Sequence, residues 1–253
     1  MRRPATGIFG LTGCAGDQLV LLNCEEELLR LMEALDLKDF LMASSARDAD
    51  CELDIAFVEG AVMSRADEER LVEIRRRSRL LVAIGTCAVW GGVAAAGRER
   101  WGQLLEEVYG DTGRRYDSLP ARPLDQVVPV DLRITGCPVE KEELLDAVAH
   151  LLCGDPPVPA DYPVCTECKI RENACLLIGQ ARLCCGPVTQ AGCGARCPSF
   201  GLPCEGCRGP ARDANLRSAW RLFEEKGISP DEVARKLATF APLGPGVAAE
   251  VTV

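Results

Sequence analysis

Nine cysteines fall between residues 165 and 207 of this 253-residue chain, and the other six are spread over all the rest. The crowded stretch holds little periodic apolar pattern, so something other than a hydrophobic core must organise it. A secreted disulfide framework predicts a short chain with an even number of thiols. This chain is long and its count is 15, which favours metal ligation in a reducing compartment. Cys165-x2-Cys168-x6-Cys175, Cys184 and Cys193-x3-Cys197-x6-Cys204-x2-Cys207 supply eight thiolates. Eight would serve two tetrahedral zinc sites or two 4Fe–4S clusters, and spacing alone leaves both open.

Before that segment the pattern is alternating. Apolar runs at 7–11, 53–58, 80–84 and 127–134 read as strands, and residues 17–32, 66–77, 98–108 and 140–152 recur at helical spacing. The glycines at 85, 91, 92 and 97 make the stretch between the third strand and its helix loop-like. The acidic start and basic end of 66–77 complement a helix dipole and read as a solvated face. Repeated β-then-α units imply an α/β domain with a parallel sheet, whose sites form past the carboxyl ends of the strands. Cys14, Cys87 and Cys137 all follow strands there, each within two residues of a glycine, which lets backbone approach a bulky group closely.

Asp155-Pro156-Pro157-Val158-Pro159 reads as a boundary, giving domains 1–154 and 155–253. Ser229 and Glu232 look like a capping box opening an apolar stripe of Val233, Leu237 and Phe240, so the second domain ends in helices. The tail 243–253 has no assignment. A net charge of −9 argues against nucleic-acid binding. No apolar run reaches the roughly 18 residues of a membrane span, and the segment after Met1-Arg2-Arg3 lacks the core of an export signal, so a cytoplasmic location is expected. His150 reads as an ordinary helix residue, and no nucleophile–base pair or phosphate loop is present.

Taken together, several stretches resemble one family. Cys165-Thr166-Glu167-Cys168, Gly186-Pro187-Val188-Thr189, Gly192-Cys193-Gly194-Ala195-Arg196-Cys197-Pro198 and Pro203-Cys204-Glu205-Gly206-Cys207 are similar to the small subunit of cytoplasmic nickel–iron hydrogenases. That group includes the deazaflavin-coenzyme-reducing, viologen-reducing and sulfhydrogenase-type enzymes. Leu11-Thr12-Gly13-Cys14, Val58-Glu59-Gly60, Gly85-Thr86-Cys87-Ala88 and Gly136-Cys137-Pro138 carry the resemblance through the first domain.

The resemblance implies a flavodoxin-like domain with a proximal 4Fe–4S cluster, then a ferredoxin-like domain with medial and distal clusters. It implies a large subunit with the nickel–iron centre, a further reductase subunit with FAD, and a higher-order hetero-oligomer. Electrons from hydrogen oxidation would pass through the three clusters, or return by the same route. Cys165, Cys168, Cys175, Cys184, Cys193, Cys197, Cys204 and Cys207 would serve the medial and distal clusters, with their division open. The family places a cysteine two residues before Gly186, which is Cys184, leaving Cys185 a bystander. Cys24, Cys51, Cys153 and Cys185 are expected to pack as small apolar residues. The family's usual C-x-G-C reads Cys14-Ala15-Gly16-Asp17 here. Asp17 is then the expected fourth proximal ligand beside Cys14, Cys87 and Cys137, the alternative being a helix N-cap. An iron–sulfur subunit of a related non-hydrogenase complex, or a zinc scaffold, are the other readings.

Overall fold

Five strands give the chain its frame. They are β1 (Ala5–Gly10), β2 (Asp36–Asp39), β3 (Leu53–Glu59), β4 (Ser78–Ile84) and β5 (Leu132–Ile134). In this computed structural model, which describes residues 2–241, all are parallel and ordered β2-β1-β3-β4-β5. That is the flavodoxin-like order, with its switch point between β1 and β3. The chain divides into two compact units, Met1–Pro157 and Val158–Val253.

Alternate side chains of the central strands enter opposite layers, as a two-fold pleat requires. Ile8, Ile55, Phe57, Val82, Ile84 and Ile134 face one core with Leu144 and Val148 of α6 (Lys141–Cys153). Phe9, Ala56, Val58, Leu81 and Ala83 face the other with Leu71 and Ile74 of α3 (Arg65–Arg76). Burial on both faces explains the unbroken apolar runs. The helices are closed by their own residues. Ser64 accepts the Asp67 N–H at the start of α3, and Gly154 at φ 74 ends α6.

The structure departs from the sequence reading in several places. The helix expected over 17–32 is two, α1 (Gly16–Leu22) and α2 (Glu25–Ala34), with Asn23 capping the first. β2 was not anticipated, because Asp-Leu-Lys-Asp is a polar edge strand and edges tolerate charge. The strand expected over 127–134 pairs only at its last three residues, Pro129 having no N–H to give. Residues expected as loop after β4 instead form α4 (Gly85–Trp90) and a 3-10 segment (Val93–Arg100), leading into α5 (Trp101–Tyr109). Glycines bound α4 rather than dissolving it. Arg77, at the basic end of α3, is also buried rather than solvated. It lies over the Phe9 ring and donates to the carbonyls of Asp48 and Cys51.

The second unit holds α7 (Val164–Ile170), α8 (Leu176–Gln180), α9 (Arg196–Ser199), α10 (Leu216–Glu225) and α11 (Pro230–Leu237). Its core mixes Val164, Leu177, Phe223 and Val233 with the side chains of Cys184, Cys185 and Cys204. Ser229 caps α11 on the Glu232 N–H as expected, but the helix ends at Leu237, before Phe240. The tail from 242 on lies outside the described residues.

Candidate metal centres

At the carboxyl edge of the sheet the chain leaves β1 and β3 side by side. Leu11 donates its N–H to the Glu59 carbonyl at 2.9 Å, and Thr12 pairs with Ala61. Gly60, at φ +85, lies so near that a Cβ there would stand 2.9 Å from Thr12 O. This contact brings Cys14 to the surface beside Gly13, and Ala15 at φ 61 turns the chain into α1. Cys87 sits on α4 just past β4, and Cys137 follows β5.

Hydrogen bonds tie these strand ends together. Thr86 N–H donates to Gly136 O at 2.8 Å, and Gly136 N–H donates to Thr86 Oγ1 at 3.3 Å. Val139 N–H donates to Asp17 Oδ1 at 2.9 Å. Cys87, Cys137, Cys14 and Asp17 are close enough to feel one another's charge. Burial pushes the Cys87 thiol up to about 12, with Cys137, Asp17 and Cys14 adding to it. The Cys137 thiol is raised by burial first, then by Asp17 and Cys14.

Four acidic donors gathered in one partly buried place repel one another unless a cation sits among them, and a metal inverts that logic. The backbone is cut back to make room. A Cβ at Gly92 would lie 2.5 Å from Cys87 Sγ, one at Gly16 would lie 3.3 Å from Cys14 Sγ, and one at Gly85 would overlap Asp17 Oδ2. The donor set therefore fits a thiolate-bound metal core.

Asp17 does not cap a helix. The cap position of α1 is Ala15, no side chain bonds there, and Asp17 lies inside the first turn. Its carboxyl is buried and raised to about 6, chiefly by burial, with the charge of Glu59 adding and the Val139 hydrogen bond opposing. Glu59, which sequence reasoning did not single out as a polar partner, is buried too and accepts Gln18 Nε2–H at 2.7 Å.

A carboxyl favoured neutral in the fold costs nothing below its unfolded pKa near 3.8, and its ionisation opposes folding as pH rises through 6. Asp17→Asn keeps an acceptor for Val139 and removes that cost. In iron-free chain it should add about 3 kcal/mol at most at pH 8, and little at pH 4. Denaturant titration at both pH values checks this; equal stability of the two chains at pH 8 contradicts it.

In the second unit, Cys165, Cys168, Cys175 and Cys184 line one small apolar cavity with Val164, Leu177 and Gly186. A Cβ on Gly186 would lie 3.3 Å from Cys165 Sγ and 3.6 Å from Cys184 Sγ. Burial raises Cys165 to about 11, and Cys184, Cys168 and Cys175 contribute. Of the other four thiols, Cys193 lies near Cys197, Cys204 lies near Cys184 and Cys185, and Cys207 lies near Cys185. Cys197 is raised by burial and then by Cys193, and accepts the Glu205 backbone N–H next to Cys204. Cys204 N–H donates to Cys184 Sγ at 3.1 Å, which sets it against the thiols of the first cavity. Arg208, fully buried after Cys207, anchors this part by donating Nε–H to Ala191 O at 2.9 Å.

Cys185 points elsewhere. It is fully buried against Gly206 and Thr189, and burial pushes its thiol up to about 12. Cys24 is likewise buried, with Sγ–H donating to Val20 O. Cys51 is half-buried and packs against the core on the α3 side of the sheet as expected, whereas Cys153 is exposed and does not. None of the 15 cysteines is in a disulfide. His150 lies on α6 beside Asp146 and Asp155.

Comparison with known proteins shows the family. Residues 14–151 fit the NADH ubiquinone oxidoreductase, 20 Kd subunit family. Sulfhydrogenase 2 subunit delta of Pyrococcus furiosus is 42% identical over 93% of this chain and 98% of its own length. A chain of the vhu F420-non-reducing hydrogenase of Methanocaldococcus jannaschii is 31% identical over 92% of this chain and 91% of its own. A chain of the NAD+-reducing NiFe hydrogenase in its H2-reduced state superposes with TM-score 0.55 at 28% identity, covering 62% of this chain and 96% of that one. The family match stops before the cysteine-rich segment, whereas the hydrogenase relatives run through it. This chain belongs to that family, as the small subunit of a nickel–iron hydrogenase. It is one part of a larger oxidoreductase acting on hydrogen. Among the described residues, no helix is long and apolar enough to cross a membrane.

Proposed function

We propose that the chain carries electrons between the nickel–iron centre of a large partner subunit and a further, FAD-bearing reductase subunit, through three 4Fe–4S clusters, in the cytoplasm. The observation that carries this reading is the gathering of Cys14, Asp17, Cys87 and Cys137 at one sheet edge by hydrogen bonds between three strand ends. These four would hold the proximal cluster. Cys165, Cys168, Cys175 and Cys184 would hold a second, and Cys193, Cys197, Cys204 and Cys207 a third.

Bound clusters supply one-electron transfer at potentials set by net charge, hydrogen bonds to sulfur and exposure. The chain's own residues set those terms. Asp17 contributes a hard oxygen donor among thiolates, and Val139 N–H fixes its orientation. The Cys204 and Glu205 N–H groups donate to sulfur in the tail.

Zinc fits less well. Thiolates on one tetrahedral zinc stand about 3.8 Å apart. Among the described residues no three Cys, His, Asp or Glu side chains converge closely enough to hold a single ion. Thiols spread around a cavity suit a polynuclear core.

A large partner is supported by the surface around the first site. Cys14 and Cys137 are exposed, and Leu19 and Val93 stand exposed on the segments that follow Cys14 and Cys87. Apolar residues rimming functional groups mark an interaction surface. The reading is tested by isolating the chain anaerobically with whatever subunits accompany it. Hydrogen should bleach a broad visible absorption that an oxidised dye restores. A colourless preparation, or one indifferent to hydrogen, overturns it.

A further inference from the structure

Glu167 lies between Cys165 and Cys168 on α7, yet its carboxylate is spent on a distant turn. Oε1 accepts the Gly192 N–H at 2.8 Å, Oε2 accepts the Ala195 N–H at 3.0 Å, and Cys193 Sγ lies 4.0 Å from Oε2. Gly192, Gly194 and Ala195 have φ of 119, 60 and 51. A turn that mixes left- and right-handed backbone can aim its N–H groups inward as an anion-binding nest. Here the anion in the nest is a side chain from the neighbouring thiol motif. The Arg171 guanidinium flanks the same turn, 2.6 Å from where a Cβ on Gly194 would stand.

From this geometry we infer that Glu167 is a positioning residue joining the two tail clusters, and that its charge lowers the potential of the cluster held through Cys193. The inference rests on the cluster reading proposed for the tail. The mechanical part follows from the two hydrogen bonds. They pin the turn bearing Cys193 to the helix bearing Cys165 and Cys168, so a charge-assisted pair of contacts fixes their spacing in addition to the apolar packing they share. The electrostatic part follows from placement. A negative charge this near a cluster's sulfur ligand opposes the arrival of an electron, and Arg171 acts in the opposite sense.

The test is potentiometric titration, followed by EPR, of the intact anaerobic complex carrying Glu167→Gln or Arg171→Gln. Glutamine keeps one acceptor for the nest and loses the charge. Glu167→Gln should move one tail cluster to a more positive midpoint potential, and Arg171→Gln should move the same cluster the other way. The proximal signal should hardly change. Opposite shifts are what a purely structural role does not produce. Iron-replete variants with unchanged potentials, or with shifts of the same sign, overturn the inference alone. Native complex without iron in the tail overturns it together with the reading beneath it.

Discussion

Cys184→Ser should cost the purified chain about four of about twelve irons, while Cys185→Ser should leave the iron count unchanged. The two residues are adjacent and chemically identical, so composition and spacing cannot separate them. The fold can. Cys184 shares a cavity with Cys165, Cys168 and Cys175 and receives the Cys204 N–H on its sulfur. Cys185 lies against Gly206 and Thr189, with no place on that cavity. Serine at 185 buries a hydroxyl where a thiol sat, at a stability cost of about 1–3 kcal/mol. Serine at 184 replaces a soft donor by a hard, weakly acidic one. Iron analysis with EPR of the reduced proteins reads both. Equal iron in the two variants would contradict the assignment.

Gly85→Ala is the second large effect. Gly85 has φ +82, a region that costs a residue with a Cβ about 1–2 kcal/mol. The added methyl would also overlap the Asp17 carboxylate. Asp17 cannot retreat cheaply, since it is buried and held by Val139 N–H. Alanine should therefore destabilise the chain by a few kcal/mol and displace Asp17 from Cys87 and Cys137. The proximal EPR signal should be lost or altered while both tail signals persist. An unchanged proximal signal would show that Asp17 is not where the iron is. Gly154→Ala is a useful control, because it too has positive φ, at 74, but its Cβ would meet nothing within 4 Å.

How legible these features were depended on range. Leu-Leu-Val-Ala-Ile at 80–84 and Leu-Asp-Ile-Ala-Phe-Val at 53–58 betray central parallel strands because both of their faces are buried. β2 hid because a four-residue polar edge has no such pattern. The strand-end positions of Cys14, Cys87 and Cys137 were readable, since a parallel sheet puts the loops after its strands on one edge. Which thiols share a cavity was not, because Cys165 and Cys184 are joined by folding over a stretch without periodic structure.

Asp17 illustrates the limit. Its place four residues into a thiol motif was visible, but its contact with Val139 spans 122 residues. Glu167 is similar: it stood in plain view within Cys165-Thr166-Glu167-Cys168, and only the fold shows its carboxylate reaching the turn at 192–195. Cys153 shows the converse error. A cysteine near the end of a helix reads as a small packing residue, yet it lies exposed at the last position of α6.

Metal analysis of the native complex, isolated without oxygen, bears most directly on the whole account. Three clusters predict about twelve irons per chain and no stoichiometric zinc. About two zincs and almost no iron would contradict it, and so would thiols recovered as disulfides from material never exposed to air.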